Sequence, residues 1–492
     1  MAKTDTSEIG RSGLIILLGT ALSMLSGFVF KISLSNFLPG TVFGSIMLAT
    51  SLFGILSIPT VLGLNEGVVK YVSATNDTDE KGTYIFISII LVGLVSTIIV
   101  FVFLLFLKPT RTLLFDNKIS NVFFILFLFC IPFHSLTKII KGGLHGIMDT
   151  NRYTGFSQVF QPLSRLILAV GAALVIGTGQ SVIGGILLAY IFTVIFGIIL
   201  LYKSGIPFSY TKNVDIKSMI TFSLPLAISS SVYILLTRID RVLIGYYMSP
   251  FSVGVYEVGM TIAMLLGLFH SAFSFLLFPK ISELDSQDMN SKIPQMYGQT
   301  TKWILTCTTP AFLILLMRPN FLIQLFGTDY SVSTIRPILV IISIGFFVDA
   351  IVGPNGQALL GFGKSKKVLY YNSIAVIANI GLNIILIPSH GLLGAATASL
   401  VGYLIMNIIK SVDLYYYHNI AVVNYPGIKM MVGGMIFTSI VIHLTNVYSL
   451  VIEFVFLSIV GIFSIAISFL VLFLSGDLTE DDKKLLRKVI PK

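Results

Sequence analysis

Apolar residues in this chain come in runs of about 20 separated by short polar stretches. That spacing predicts helices able to cross a hydrocarbon core of about 30 Å at 1.5 Å per residue. The runs place spans at 13–36, 42–66, 84–107, 119–141, 155–177, 181–202, 217–247, 252–278, 301–317, 334–360, 367–387, 391–415, 427–445 and 449–474. The pattern therefore predicts an all-α polytopic membrane protein of about fourteen transmembrane helices. The larger connections are 72–82, 203–217 and 281–300, whereas 177–181 and 389–391 are tiny and uncharged. The charged stretch after Ser475 reads as a short cytosolic helix that anchors the topology.

Composition agrees with this pattern. Of 492 residues, 55% are hydrophobic and 11% charged, against about 25% charged in soluble proteins. A soluble enzyme is excluded. A net charge of +10 would suit a nucleic-acid partner, but the cations follow the membrane instead. With the N-terminus assigned to the cytosol, 23 of the 32 Lys and Arg fall on the cytosolic side, 5 on the other, and 4 within spans. That bias predicts both termini in the cytosol of a multi-pass plasma-membrane protein, with no nucleic-acid partner. Cys130 and Cys307 lie in apolar runs and read as packing residues. The opening MAKTDTSEIGRSG runs straight into a full-length span, so no cleavable signal peptide is expected. No G-x-x-x-x-G-K-[ST] loop supplies an ATPase. His134, His270 and His443 lack metal-ligand spacing, and no nucleophile–base pair suggests catalysis.

The chain also repeats itself at an offset of 210. Thr20, Ser23, Gly27 and Lys31 share one helical face, and so do Ser230, Tyr233, Thr237 and Arg241. Pro39 and Gly44 are echoed by the kink at Ser249–Pro250 and by Gly254, and Gly184 by Gly394. Spans 1–6 thus pair with spans 7–12 as a parallel repeat. This predicts an N-terminal lobe over 1–202, a C-terminal lobe over 203–416, an added pair of spans over 417–475, and a tail over 476–492.

Four cations lie inside spans. A charge at that depth costs about 2.5–3.5 kcal/mol on insertion scales, so it normally faces a partner or a water-filled cavity. Lys31 and Arg241 occupy equivalent places in the two lobes; the competing reading is that they snorkel to headgroups. With Arg238 they form a basic pocket, the guanidinium offering a planar fork for phosphate oxygens and the ammonium a compact charge. Arg165 lies near the middle of span 5, with Gln161 and Gln158 on its face. Gln161 serves cavity lining or interhelical hydrogen bonding equally well. Thr237 and Tyr233 belong to the polar stripe. Asp240 reads first as a neutraliser of one cation. Asn372, Asn379 and Asn383 read as interhelical glue. Glu66, Glu257, Asp349 and Glu453 are the acids in or near spans. Of these, Asp349 precedes the helix-breaking GPNGQ at 353–357, and with Asp240 it is a candidate for Na⁺ or H⁺ coupling. No other cofactor and no metal are expected.

Further stretches carry a resemblance. LPGTVFGSIMLATSLFGILSIPTVLGLNEGVVKYVS at 38–73, TRIDRVLIGYYMSPFSVGVYEVG at 237–259, SAFSFLLFPKISEL at 271–284, LFGTDYSVS at 325–333 and GPNGQALLGFGKSK at 353–366 occur in that order. In them the chain resembles, over nearly its whole length, the Wzx-type polysaccharide flippases of the MOP export superfamily. The resemblance implies a MATE-like fold of two six-helix lobes. It also implies alternating access that carries a polyprenyl- or dolichol-linked oligosaccharide from the cytosolic to the outer leaflet, for surface polysaccharide or glycoprotein glycan assembly. Lys31, Arg165, Arg238 and Arg241 would then hold the phosphate and sugar. A monomer is expected, working beside glycosyltransferases or a polymerase and among membrane lipids. Three other functions stay open. They are a lipid-linked peptidoglycan precursor flippase, an ion-coupled multidrug exporter, and a membrane glycan polymerase or glycosyltransferase, for which the external loops are short.

Overall fold

The computed structural model describes residues 6–115, 119–207, 210–211, 214–422, 425–444 and 450–475. The tail at 476–492 lies outside the described residues. Nearly everything described is helical, with no strand among the described residues. The helices are α1 (Thr6–Phe37), α2 (Gly40–Val61), α3 (Leu64–Ala74), α4 (Thr78–Leu105), α5 (Leu107–Phe115), α6 (Asn121–Gly146), α7 (Thr150–Thr154) and α8 (Gln161–Val175). They continue as α9 (Gly179–Lys203), α10 (Ile216–Tyr247), α11 (Pro250–Ala263), α12 (Gly267–Ser286), α13 (Ile293–Met317) and α14 (Pro319–Gln324). The last are α15 (Val332–Val352), α16 (Asn355–Gly361), α17 (Ser365–His418), α18 (Tyr425–Leu444) and α19 (Leu450–Ser475).

Ten helices are long and apolar enough to cross a membrane, among the described residues. Ser365–His418 counts once among them, although it covers two of the expected spans. Its 54 residues would reach about 80 Å as one rod. Instead the chain folds back at Gly391, whose φ of 56° only glycine adopts freely. The two arms then touch: a Cβ on Gly402 would stand 3.1 Å from that of Asn379, and Lys367 Nζ reaches Asp413 Oδ2 at 2.6 Å.

Some expected boundaries move. The span expected at 301–317 begins at Ile293, about two turns earlier. Lys302 and Lys410, counted with the cytosolic-side cations in the charge tally, are buried side chains on helices. The second span breaks at Leu62–Gly63, both with positive φ, and resumes as α3. The fifth is entered through a π-helical stretch at Gly155–Phe160 that runs into α8.

Packing divides the chain into two compact units. One comprises Met1–Glu257, Phe326–Asp329 and Asn383–Leu392; the other holds the remainder. Within the first, Val68, Val72, Ile85, Ile139, Leu144, Phe156 and Met219 form a fully buried core. Within the second, Ile281, Tyr297, Leu359 and Leu414 do so. On α4, Ile90, Leu94, Ile98, Phe101 and Leu105 are all exposed. They recur at helical spacing as one apolar stripe, the surface a lipid-facing helix presents. Many span hydroxyls bond back to their own helix, as Thr20 Oγ1 does to Ile16 O at 2.8 Å and Ser88 Oγ to Tyr84 O at 2.8 Å. Such hydroxyls need no aqueous neighbour.

Two echoed segments meet directly inside the first unit. A Cβ on Gly44 would lie 1.7 Å from Pro250 O, and one on Gly254 would lie 3.1 Å from Gly40 O. Gly44 and Gly254 are related by the 210 offset, as are Gly40 and Pro250. The contact is therefore reciprocal, as at a two-fold interface. α2 also gains a distant cap, since Gly40 N donates to Asp329 Oδ2 at 2.9 Å. That bond joins the 38–73 and 325–333 stretches, and the carboxylate complements the helix dipole.

Candidate functional site

The buried charges of the first unit gather where α1, α10 and α11 approach. Arg241 falls on the α10 stripe, Lys31 near the end of α1, and Glu257 two turns into α11. Lys31 Nζ stands 2.7 Å from Glu257 Oε1, and Arg241 Nε donates to the other carboxylate oxygen, Oε2. Side-chain exposure is 23% for Lys31, 9% for Arg241 and 3% for Glu257. Arg241 Nη1 also donates to Thr237 O at 2.5 Å. Thr237 thus contributes its carbonyl, while its hydroxyl bonds Ile234 O at 3.2 Å.

Asp240 sits one residue away and looks elsewhere. It accepts from Tyr256 OH at 3.1 Å and from Asn383 Nδ2 at 2.8 Å. Neutralisation of the cations, assigned above to Asp240, is shared in the structure. Glu257 makes both ion pairs, and Asp240 acts on Arg241 as a charged neighbour. Asn383, read above as glue, is a ligand of that carboxylate.

Arg238 turns toward α2 and donates from Nη1 to Thr50 O at 2.8 Å. The guanidinium fits because residue 54 is glycine: a Cβ there would stand 2.5 Å from Arg238 Cδ and Nε. Arg165 lies 4.8 Å over the Phe30 ring, and its buried Nε has no hydrogen-bond partner. Gln161 opens α8 one turn earlier, directly after the π-helical stretch; such stretches recur at functional sites. Tyr233 lies on α10, and its side chain is outside the described residues.

Four cations, Lys31, Arg165, Arg238 and Arg241, face two carboxylates, Asp240 and Glu257, so the centre keeps an excess of positive charge. Fixed cations among apolar helices act through a low dielectric and attract anions strongly. Asp349 belongs to the second unit, where it meets His270 Nδ1 at 3.0 Å. Two residues were missed as contributors by the sequence reading. Glu257 was noted as an acid in a span, but nothing local marks its partners. His134, whose Nδ1 is buried without a hydrogen bond, has Lys138, Arg238 and Arg165 as charged neighbours.

The fold has close counterparts among solved structures. The lipid II flippase MurJ in an inward closed conformation superposes with a TM-score of 0.76 at 15% identity, covering 94% of this chain and 100% of that one. An inward-facing multidrug resistance MATE transporter of the MOP superfamily gives 0.66 at 15% identity, covering 81% and 96%. Helices of this length in this arrangement make the chain a multi-pass membrane protein with the MOP-transporter fold. It belongs to the family described as polysaccharide biosynthesis protein, which matches residues 9–285; the MatE family matches 225–385. Named relatives include the probable flippase AglR of Haloferax volcanii, 25% identical over 76% of this chain and 77% of its own. The probable low-salt glycan biosynthesis flippase Agl15 of the same organism is 22% identical, with 75% of each chain covered. An uncharacterized membrane protein of Methanocaldococcus jannaschii is 25% identical over 80% and 94%. The two relatives named here by function are flippases, which move a substrate and do not catalyse a chemical reaction.

Proposed function

We propose that this protein is a flippase that moves a lipid-linked oligosaccharide, carried on a polyprenyl or dolichol phosphate or pyrophosphate, from the cytosolic to the outer leaflet. The observation that carries the reading is the cationic excess of Lys31, Arg165, Arg238 and Arg241, of which Arg241 is buried and the other three are half-buried. Arg238 and Arg241 offer forks to phosphate oxygens, and Lys31 a movable point charge. Glu257 occupies two of these cations when no cargo is bound. An entering phosphate exchanges with it, so the site stays neutralised and cargo is favoured over a neutral sugar. Transport proceeds by alternating access in the plasma membrane, with both termini cytosolic. The glycan feeds surface polysaccharide or glycoprotein assembly. The protein works as a monomer beside glycosyltransferases or a polymerase. Asp240 and Asp349 are the candidates for coupling to Na⁺ or H⁺.

A lipid-linked peptidoglycan precursor is the second reading, favoured by the fold likeness to MurJ. An exporter of cationic drugs would need an excess of buried carboxylate instead. Depletion of the protein in its host tests the proposal. Lipid-linked oligosaccharide should accumulate in the cytosolic leaflet while the surface glycan falls. Unchanged surface glycan, with cargo evenly distributed between leaflets, contradicts it.

A further inference from the structure

The first compact unit holds a cavity of about 450 Å³ distinct from the Lys31–Glu257–Arg241 centre. It exists because α2 stops at Leu62–Gly63 and because Gly142 lets α3 press against α6, where a Cβ would stand 2.6 Å from Asn65 O. Its walls include Lys138 and Lys141, with Ile58, Val69 and Ile234 as apolar surface. Lys138 Nζ donates to Ser57 Oγ at 2.6 Å, and Lys141 Nζ lies 5.6 Å over the Tyr153 ring. Neither lysine has a carboxylate within ion-pair distance among the described residues. Glu66, on the wall, is exposed and accepts from Asn65 Nδ2 at 3.0 Å.

Two cations outside any ion pair, beside an apolar wall, suit an amphiphile with an anionic head. The cavity also connects electrically with the centre. Lys138 has Arg238 and Lys141 as charged neighbours. Arg238 in turn has Arg241 and Arg165, and Lys31 has Arg241 and Arg165. From Lys141 to Lys31 the cations are thus successive electrostatic neighbours, with Glu257 among them at the Lys31 end.

We propose that the Lys138–Lys141 cavity is a separate binding site for the phosphate group of a prenyl- or glycerol-based lipid, filled before the central cations are reached. The assignment of the prenyl form rests on the flippase reading; the phosphate chemistry does not.

The test uses the full chain with Cys130→Ala and Cys307→Ala, and with Val69→Cys as a reporter on the cavity wall, in phosphatidylcholine nanodiscs. Maleimide labelling of the reporter is followed with geranyl pyrophosphate, geraniol or inorganic pyrophosphate added, and again in phosphatidylglycerol nanodiscs. Geranyl pyrophosphate should slow labelling where geraniol does not. Its half-protecting concentration should rise roughly tenfold or more in Lys138→Gln/Lys141→Gln, the loss expected for charge-assisted contacts. Lys141→Gln alone, at the less confined lysine, should give part of that shift and guards against a double variant that fails to fold. Protection by phosphatidylglycerol alone would assign the site to a resident phospholipid; protection by geranyl pyrophosphate assigns it to the prenyl carrier. Equal labelling under every condition, or protection that survives the double Gln variant, overturns the proposal. Should that happen while reconstituted protein still flips lipid-linked oligosaccharide, the flippase reading stands and only the second site falls.

Discussion

Glu257→Gln keeps the shape of the side chain and removes the charge that Lys31 and Arg241 share. At 2.7 Å and an effective dielectric of about 20, the Lys31 pair alone is worth roughly 6 kcal/mol of attraction before desolvation. Desolvation offsets much of this, and breaking a buried pair by deleting one partner costs about 3–5 kcal/mol. Lys31 keeps 23% of its side chain exposed and so retains some hydration, which favours about 3 kcal/mol. That is a large share of a typical stability of about 5–15 kcal/mol. The variant should therefore unfold at lower temperature or denaturant in nanodiscs. It should also respond more strongly to anionic ligand, because phosphate no longer competes with Glu257. A ligand at 100 times its Kd contributes about 2.7 kcal/mol, enough to restore most of the loss. The assay is unfolding of parent and variant across a titration of prenyl pyrophosphate. If the variant unfolds with the parent, or if ligand shifts both equally, Glu257 is not the resident counterion of an anion site.

Other perturbations separate packing from charge. Arg238→Ala and Arg241→Ala should each reduce transport by tenfold or more at normal abundance, in keeping with about 1.5–3 kcal/mol per charge-assisted contact; Arg165→Lys should keep function only if point charge suffices without a fork. Gly54→Ala should act like a mild Arg238 variant, since its Cβ would fall 2.5 Å from Arg238 Cδ, and transport measured at matched abundance checks this. Gly44→Ala, against Pro250 O at 1.7 Å, should cost about 1–3 kcal/mol or more by overpacking, whereas Gly27→Ala, with nothing within 4 Å, should be neutral in the same thermal scan. Asp329→Ala should lower the melting temperature by removing the α2 cap, a loss of about 0.5–2 kcal/mol.

The spans were legible because run length is a local property: an apolar stretch of about 20 residues reads the same wherever it packs. The 210 offset has a physical counterpart in one place, where Gly44 packs on Pro250 and Gly254 on Gly40. The central site was half legible. Lys31 and Arg241 stand out because a lone charge in an apolar run is costly. Glu257 stands out equally, but its partnership with both depends on α11 crossing α1 and α10, which no local pattern encodes. The polar stripe overstated the site, since hydroxyls such as that of Thr20 are satisfied within their own helix. Lys138 was hidden for the opposite reason. Near the cytosolic end of the span at 119–141 it counts only toward the charge bias, and the fold places it on a cavity wall. Similarly, two spans at 367–387 and 391–415 read as separate helices, although a single glycine hinge joins them.

The most direct measurement is transport in proteoliposomes of two fluorescent cargoes, a polyprenyl-pyrophosphate oligosaccharide and a lipophilic cation, by the parent and by Arg238→Ala/Arg241→Ala. The account predicts that the parent flips only the lipid-linked sugar and that the double variant, inserted at the same abundance, does not. Movement of the cation with indifference to the two arginines would contradict it.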